Sequence, residues 1–216
     1  DARAWVAEAL GTALVVAAVV GSGIMAERLA AGQQALALLA NTLATGAALL
    51  ALILSFGPIS GAHFNPLVSA AAAFEGRLRP GAALRFAAAQ FGGGWLGTLA
   101  AQAMFGLPLI QASGRVRSGP ELWLSEALAS FTLLLVIGLC SRRRPDATPL
   151  AVAATITAAY WFTASTAFAN PAVTLARAAS DSFAGIRPAD VPAFWIAQAL
   201  GAAAGAPLAR WIAGPV

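Results

Sequence analysis

The chain has 216 residues, 59% of them hydrophobic and 10% charged, where soluble domains carry ~25% charged residues. A surface that poor in charge would not hold a chain of this size in water, which excludes an ordinary cytosolic enzyme, a disordered chain and a disulfide-stapled secreted domain. The 13 basic residues, all Arg, exceed the 9 acidic ones by a dispersed +4, which suits orientation in a bilayer rather than a nucleic-acid partner, and the single Cys140 excludes an internal disulfide and a Cys-rich metal site.

In chain order, apolar stretches occupy about 4–26, 34–56, 82–106, 121–140, 148–168 and 190–213. Each approaches the ~20 residues that cross a bilayer, so an all-α membrane protein with six spans is expected. The first stretch is too long for a signal-peptide core. The chain begins at Asp1 without Met, so an N-terminal piece is expected ahead of it. The linker 57–81 holds Gly57-Pro58, then Asn65-Pro66 and an Ala-rich run to Phe74. Span three carries Gly93 and Gly97, a spacing that lets helix backbones approach closely. Span four ends at Cys140, which is expected to pack, and is followed by Arg142-Arg143-Arg144. The linker 169–189 holds Asn170-Pro171 and then Ala172 to Ala179. Span six carries Gly201 and Gly205, spaced as in span three. Trp5, Trp95, Trp123, Trp195 and Trp211 fall at or near span ends, where an aromatic belt would put most of them. In both linkers Asn suits an N-cap and Pro the first helical position. Each predicts a helix of about ten residues, ~15 Å long, which is half a bilayer.

The order of residues repeats. Glu8-Ala9-Leu10, Asn65-Pro66 and Gln90 come back as Glu126-Ala127-Leu128, Asn170-Pro171 and Gln198. This predicts one channel domain over 1–216 built from two units, about 1–110 and 118–216. Three spans per unit force the second upside down relative to the first, so the two half-helices enter from opposite faces and their Asn-Pro ends meet at mid-membrane. Non-helical backbone at that depth is tolerated only when buried in protein or lining a wet path, so a polar passage is predicted. Arginines are more numerous in the N-terminus, 57–85, 141–147 and the C-terminus than in the other loops. That bias predicts both termini in the cytoplasm.

The segments Ser60-Gly61-Ala62-His63-Phe64-Asn65-Pro66-Leu67-Val68 and Ala169-Asn170-Pro171-Ala172-Val173, with Glu8, Glu126, Gln90 and Gln198, resemble the aquaporin and glycerol-facilitator (major intrinsic protein) family over nearly the whole chain. The resemblance implies six spans plus two re-entrant half-helices. It implies that Asn65-Pro66-Leu67 and Asn170-Pro171-Ala172 form the pore centre, with the two Asn amides as donors to solute oxygens. Purely structural N-caps are the alternative. Leu67 stands where the family usually has Ala, adding bulk at the constriction or in the packing behind it. The family's outer filter maps onto Thr45, Ala158, Ala167 and Val173. Val173 replaces the usual Arg, as in bacterial members associated with arsenic resistance. A wider, less polar filter is implied, with weaker exclusion of protons and cations. Ala167 occupies the place of the Cys through which mercury blocks many members. Arg177, one turn beyond Val173, either puts positive charge in the outer vestibule or snorkels to the interface. Glu8 and Glu126 are implied braces for the half-helix loops, helped by Gln90 and Gln198, with proton coupling as the rival reading. His63 is expected in the cytoplasmic approach to the pore.

No catalytic constellation or phosphate loop is present, and one His makes no metal site, so neither an enzyme nor a cofactor is expected. The expected function is passive passage of water or small neutral solutes: glycerol-like polyols, urea, ammonia, or metalloid acids such as arsenous acid. The expected setting is the inner membrane, as a homotetramer by resemblance to the family. A secondary transporter with inverted repeats is the alternative.

Overall fold

A computed structural model describes residues 2–214. Among these residues eight α-helices follow in order: α1 (Ala2–Leu29), α2 (Gln34–Ser60), α3 (Pro66–Phe74), α4 (Pro80–Met104), α5 (Pro120–Arg143), α6 (Thr148–Phe162), α7 (Pro171–Arg177) and α8 (Val191–Ala213). Short 3-10 turns at Pro145–Ala147 and Pro188–Asp190 lead into α6 and α8, and no strand occurs among the described residues. α1, α2, α5 and α8, the last counted from Pro188, are long and apolar enough to cross a membrane by themselves. α4 is less apolar because it carries Arg85, Gln90 and Gln102, yet both glutamines are fully buried. α6 has only 15 residues. These two spans owe their place in the bundle to their neighbours as well as to hydropathy.

The tightest packing is between α1 and α4 and between α5 and α8. A Cβ on Gly93 or Gly97 would collide with the carbonyl oxygens of Ala9 and Ala13. One on Gly201 or Gly205 would collide with those of Ala127 and Phe131. The same contact is therefore made twice, and it uses the glycine pairs that the sequence singles out. Dispersion and backbone proximity, rather than hydrophobic transfer, hold helices together in lipid, which is why a missing side chain is worth so much here.

Three expectations about boundaries need correction. The stretch 148–168 is not one span: α6 ends at Phe162, and Thr163 Oγ1 donates to Ala159 O at 2.7 Å as the chain turns. Thr166, Ala167 and Ala169 then take positive φ, a conformation that a run of apolar residues does not advertise. α2 does not stop before Gly57-Pro58 but continues to Ser60, where Gly61 at φ 89° closes it by donating to Gly57 O at 2.9 Å. The half-helices have nine and seven residues instead of about ten.

Ion pairs and hydrogen bonds sort the loops onto two ends of the bundle. At one end Glu75 accepts from both Arg77 and Arg142 at 2.8 Å, and Arg143 donates to Ala213 O. At the other, Arg28 donates to Phe105 O at 2.9 Å, Phe183 N to Glu27 at 2.9 Å and Arg187 N to Arg115 O at 2.7 Å. The arginine-rich segments 75–79 and 141–144 therefore share one end with the C-terminal helix.

Candidate functional site

α3 and α7 begin at the centre of the bundle, and their caps face each other. The side chain of Asn65 accepts from Leu67 N at 2.9 Å, and that of Asn170 accepts from Ala172 N and Val173 N at 3.0 and 3.3 Å. Each amide also reaches across the junction. Asn65 Nδ2 donates to Ala169 O and Asn170 Nδ2 to Phe64 O, both at 2.8 Å. Each amide nitrogen has a second N–H, and both asparagines line the central cavity. Pro66 and Pro171 take the first helical positions, where the missing N–H costs nothing.

The loops that lead into these caps are strained and braced. Ala62 and Phe64 before Asn65, and Ala167 and Ala169 before Asn170, all have φ of 46–48°. Such residues cost on the order of 1–2 kcal/mol each and persist only when their surroundings over-determine them. The fully buried Glu8 supplies that restraint: it accepts from His63 N at 3.0 Å, Phe64 N at 2.7 Å, Ser60 Oγ at 2.6 Å and Gln90 Nε2 at 2.7 Å. Glu126 repeats the arrangement, accepting from Phe168 N and Ala169 N at 2.9 Å and Gln198 Nε2 at 2.6 Å. Gln90 goes on to Ser69 Oγ at 3.0 Å and Gln198 to Thr174 Oγ1 at 2.9 Å, each a residue on the half-helix itself. Loop, half-helix and span are thus tied by one carboxylate on each side.

A cavity of about 210 Å³ runs past this junction. Its wall is a set of four-residue stripes: Val15 and Val19 on α1; Thr45, Leu49 and Ile53 on α2; Leu133, Ile137 and Ser141 on α5; and Thr148, Val152, Ile156 and Tyr160 on α6. Residues four apart share a helix face, so each of these four spans gives one apolar rail to the passage. Polar groups interrupt the rails only at the ends and at the two asparagines.

Most expected residues meet here. Thr45, Ala167 and Val173 line the cavity with Asn65, Asn170, His63 and Arg177. Ala158 does not: it is exposed on the outer face of α6. The stripe places Tyr160 there instead, its hydroxyl 3.3 Å from Thr45 Oγ1. The passage is therefore narrower and more polar at this level than the mapped filter implies. Leu67 also lies off the passage. It lines a separate apolar groove with Ala71, Phe74 and Ala202 between α3 and α8, so its bulk belongs to packing behind the pore. His63 Nδ1 lies 3.1 Å from Ser69 Oγ, with its ring edge-on to Phe86. Arg177 does not snorkel, being 2% exposed, and its guanidinium carbon sits 3.3 Å over the Phe168 ring. Trp195 does not serve as a belt residue, since its indole N–H donates to Pro171 O at 3.0 Å and steadies α7.

Sequence reasoning missed Tyr160, Phe168 and Arg117. Tyr160 was readable as the last member of the Thr148-Val152-Ile156-Tyr160 stripe. Arg117 carried no signal, because it sits in a loop beside another arginine, Arg115. Its guanidinium donates to Gly185 O at 2.7 Å, Ser165 O at 3.1 Å and Phe183 O at 3.3 Å, clipping three segments together.

Six spans around two half-helices that meet cap to cap beside a continuous polar-centred cavity define a passive transmembrane channel for water and small solutes. The chain belongs to the major intrinsic protein family, whose family model matches residues 1–143. It is 54% identical to aquaglyceroporin AqpS of Rhizobium meliloti (strain 1021) over 213 residues, 99% of this chain and 91% of that protein. Its fold matches the X-ray structure of the aquaglyceroporin from Plasmodium falciparum with a TM-score of 0.74, at 18% identity and covering 98% and 95% of the two chains.

Proposed function

We propose that the channel passes uncharged solutes larger than water, with glycerol-like polyols and undissociated metalloid acids such as arsenous acid as its substrate class. The observation that carries this reading is Val173, a short apolar side chain in the cavity wall directly after Asn170-Pro171-Ala172, where the family usually sets a long cation. An apolar wall with sparse donors suits solutes that show carbon on one side and oxygen on the other. The name aquaglyceroporin carried by the 54% identical relative points the same way. Asn65 and Asn170 act as central donors, Thr45, Ala167 and Val173 as the outer filter, and His63 as the lining of the inner approach. Glu8, Glu126, Gln90 and Gln198 act as braces.

Carrier action with ion coupling is the less favoured reading. It needs a carboxylate free to bind an ion or proton, and Glu8 and Glu126 are each held by two backbone N–H groups and a glutamine. The protein acts without chemistry on its solute. We place it in the bacterial inner membrane with both termini cytoplasmic, as two inverted units over about 1–110 and 118–216, and as a homotetramer with one pore per subunit.

Stopped-flow light scattering on proteoliposomes tests this with gradients of water, glycerol, urea and arsenous acid. Non-saturating flux with low activation energy is expected for the larger solutes. Saturating flux that requires a proton or sodium gradient would overturn it.

A further inference from the structure

Val173 removes a cation from the filter, yet the passage is not without one. Arg177 lies one helical turn along α7, ~6 Å from Val173, and both line the cavity. Its side chain is fixed by two contacts: Nε donates to Ala184 O, and the guanidinium plane lies against Phe168. Neither contact neutralises it. Among the described residues no carboxylate lies within ion-pair distance of Arg177, and its two terminal amino groups make no hydrogen bond to protein. Nor are those nitrogens sealed off, since they are not among the buried unpartnered atoms. They open onto the passage. Glu126, the buried carboxylate of α5 that braces the Phe168 loop, is spent on Phe168 N, Ala169 N and Gln198. The guanidinium of Arg117, 4.9 Å from the same Phe168 ring, adds a second positive charge behind the first.

A side chain that is buried, charged, unpaired and pre-set on an aromatic face is costly to keep, and such groups in membrane interiors mark pathways. We infer that Arg177 is the charge filter of this pore, moved one turn outward from the ring that contains Val173, so that width and charge are set at two different levels. The inference rests on the channel reading given under Proposed function and sharpens it. The Val173 level stays wide enough for a polyol or oxyacid. The Arg177 level rejects cations and offers two N–H donors in a fixed fork to solutes with neighbouring oxygens. A fixed charge ~6 Å from a passing cation, at an effective dielectric of about 20, lowers passage on the order of 100-fold. This replaces the expectation of weaker exclusion of protons and cations.

The test compares the unmodified protein with Arg177→Gln and Arg177→Lys in proteoliposomes. Proton leak is read with an internal pH dye under a potassium–valinomycin clamp, alongside water and glycerol flux. The unmodified protein should leak protons no faster than empty vesicles. Arg177→Gln should raise the leak at least tenfold, with water flux above that of empty vesicles showing that the pore has assembled. Arg177→Lys should keep the leak low but reduce glycerol flux relative to water, because an ammonium lacks the fork. A Gln variant with normal water flux and background leak overturns the inference while leaving the channel reading intact. Should the Gln variant fail to reconstitute, the unmodified protein still decides: a proton leak above empty vesicles overturns the inference. Absence of water and solute flux in the unmodified protein overturns both.

Discussion

Replacing Glu126 by Gln is the most direct probe of how the second half-helix is held. The carboxylate accepts from Phe168 N with one oxygen and from Ala169 N and Gln198 Nε2 with the other. A carboxamide has the same outline but only one acceptor. The least costly rotamer turns its NH2 toward Phe168 and leaves that buried N–H without a partner, at about 1–3 kcal/mol. The two remaining bonds become neutral ones and lose about 0.5–1 kcal/mol each. The sum, roughly 2–5 kcal/mol, is comparable with the strain of the left-handed residues Thr166, Ala167 and Ala169 that the brace offsets. For a chain of this size that lowers Tm on the order of 10 °C. Thermal unfolding in detergent, followed by circular dichroism, measures the shift, and stopped-flow glycerol flux should fall with it as the loop relaxes. A variant with Tm within 2 °C of the parent and full flux would refute the brace. A stable variant that lost only proton-driven uptake would instead assign Glu126 to ion coupling.

Other outcomes follow from the same contacts. Val173→Arg should narrow the passage, lowering glycerol and arsenous acid flux severalfold while sparing water; unchanged flux of the larger solutes would remove Val173 from the filter. Leu67→Ala should leave every solute flux within about twofold, because Leu67 faces the groove between α3 and α8; a strong change in selectivity would return it to the pore. Gly97→Ala should destabilise the fold by several kcal/mol, since its Cβ meets the Ala13 carbonyl, while Gly92→Ala, with nothing within 4 Å, should cost nothing or add stability. Parallel melting curves of the two variants separate packing from helix propensity.

Local pattern made much of this protein legible. Hydropathy marked six spans, Asn-Pro followed by alanines marked two helix starts, and the ordered recurrence of Glu, Asn-Pro and Gln marked residues that the fold joins by hydrogen bonds. These signals survive because capping, span length and close glycine packing depend on a few neighbouring residues and on the bilayer's thickness. The boundaries were less legible. The end of α6 at Phe162 depends on a distant carboxylate, Glu126, holding backbone that hydropathy reads as more span.

What only the tertiary structure decided is direction around each helix axis. A membrane helix is apolar on all sides, so its sequence carries little amphipathic signal to say which face looks inward. Hence Ala158 gave way to Tyr160, and Leu67 moved behind the pore. Arg177 shows the division most plainly. Its identity and its place one turn beyond Val173 were written in the chain. Whether it faced lipid headgroups or the passage was settled by Phe168 and Ala184, which fold back from other segments to hold it.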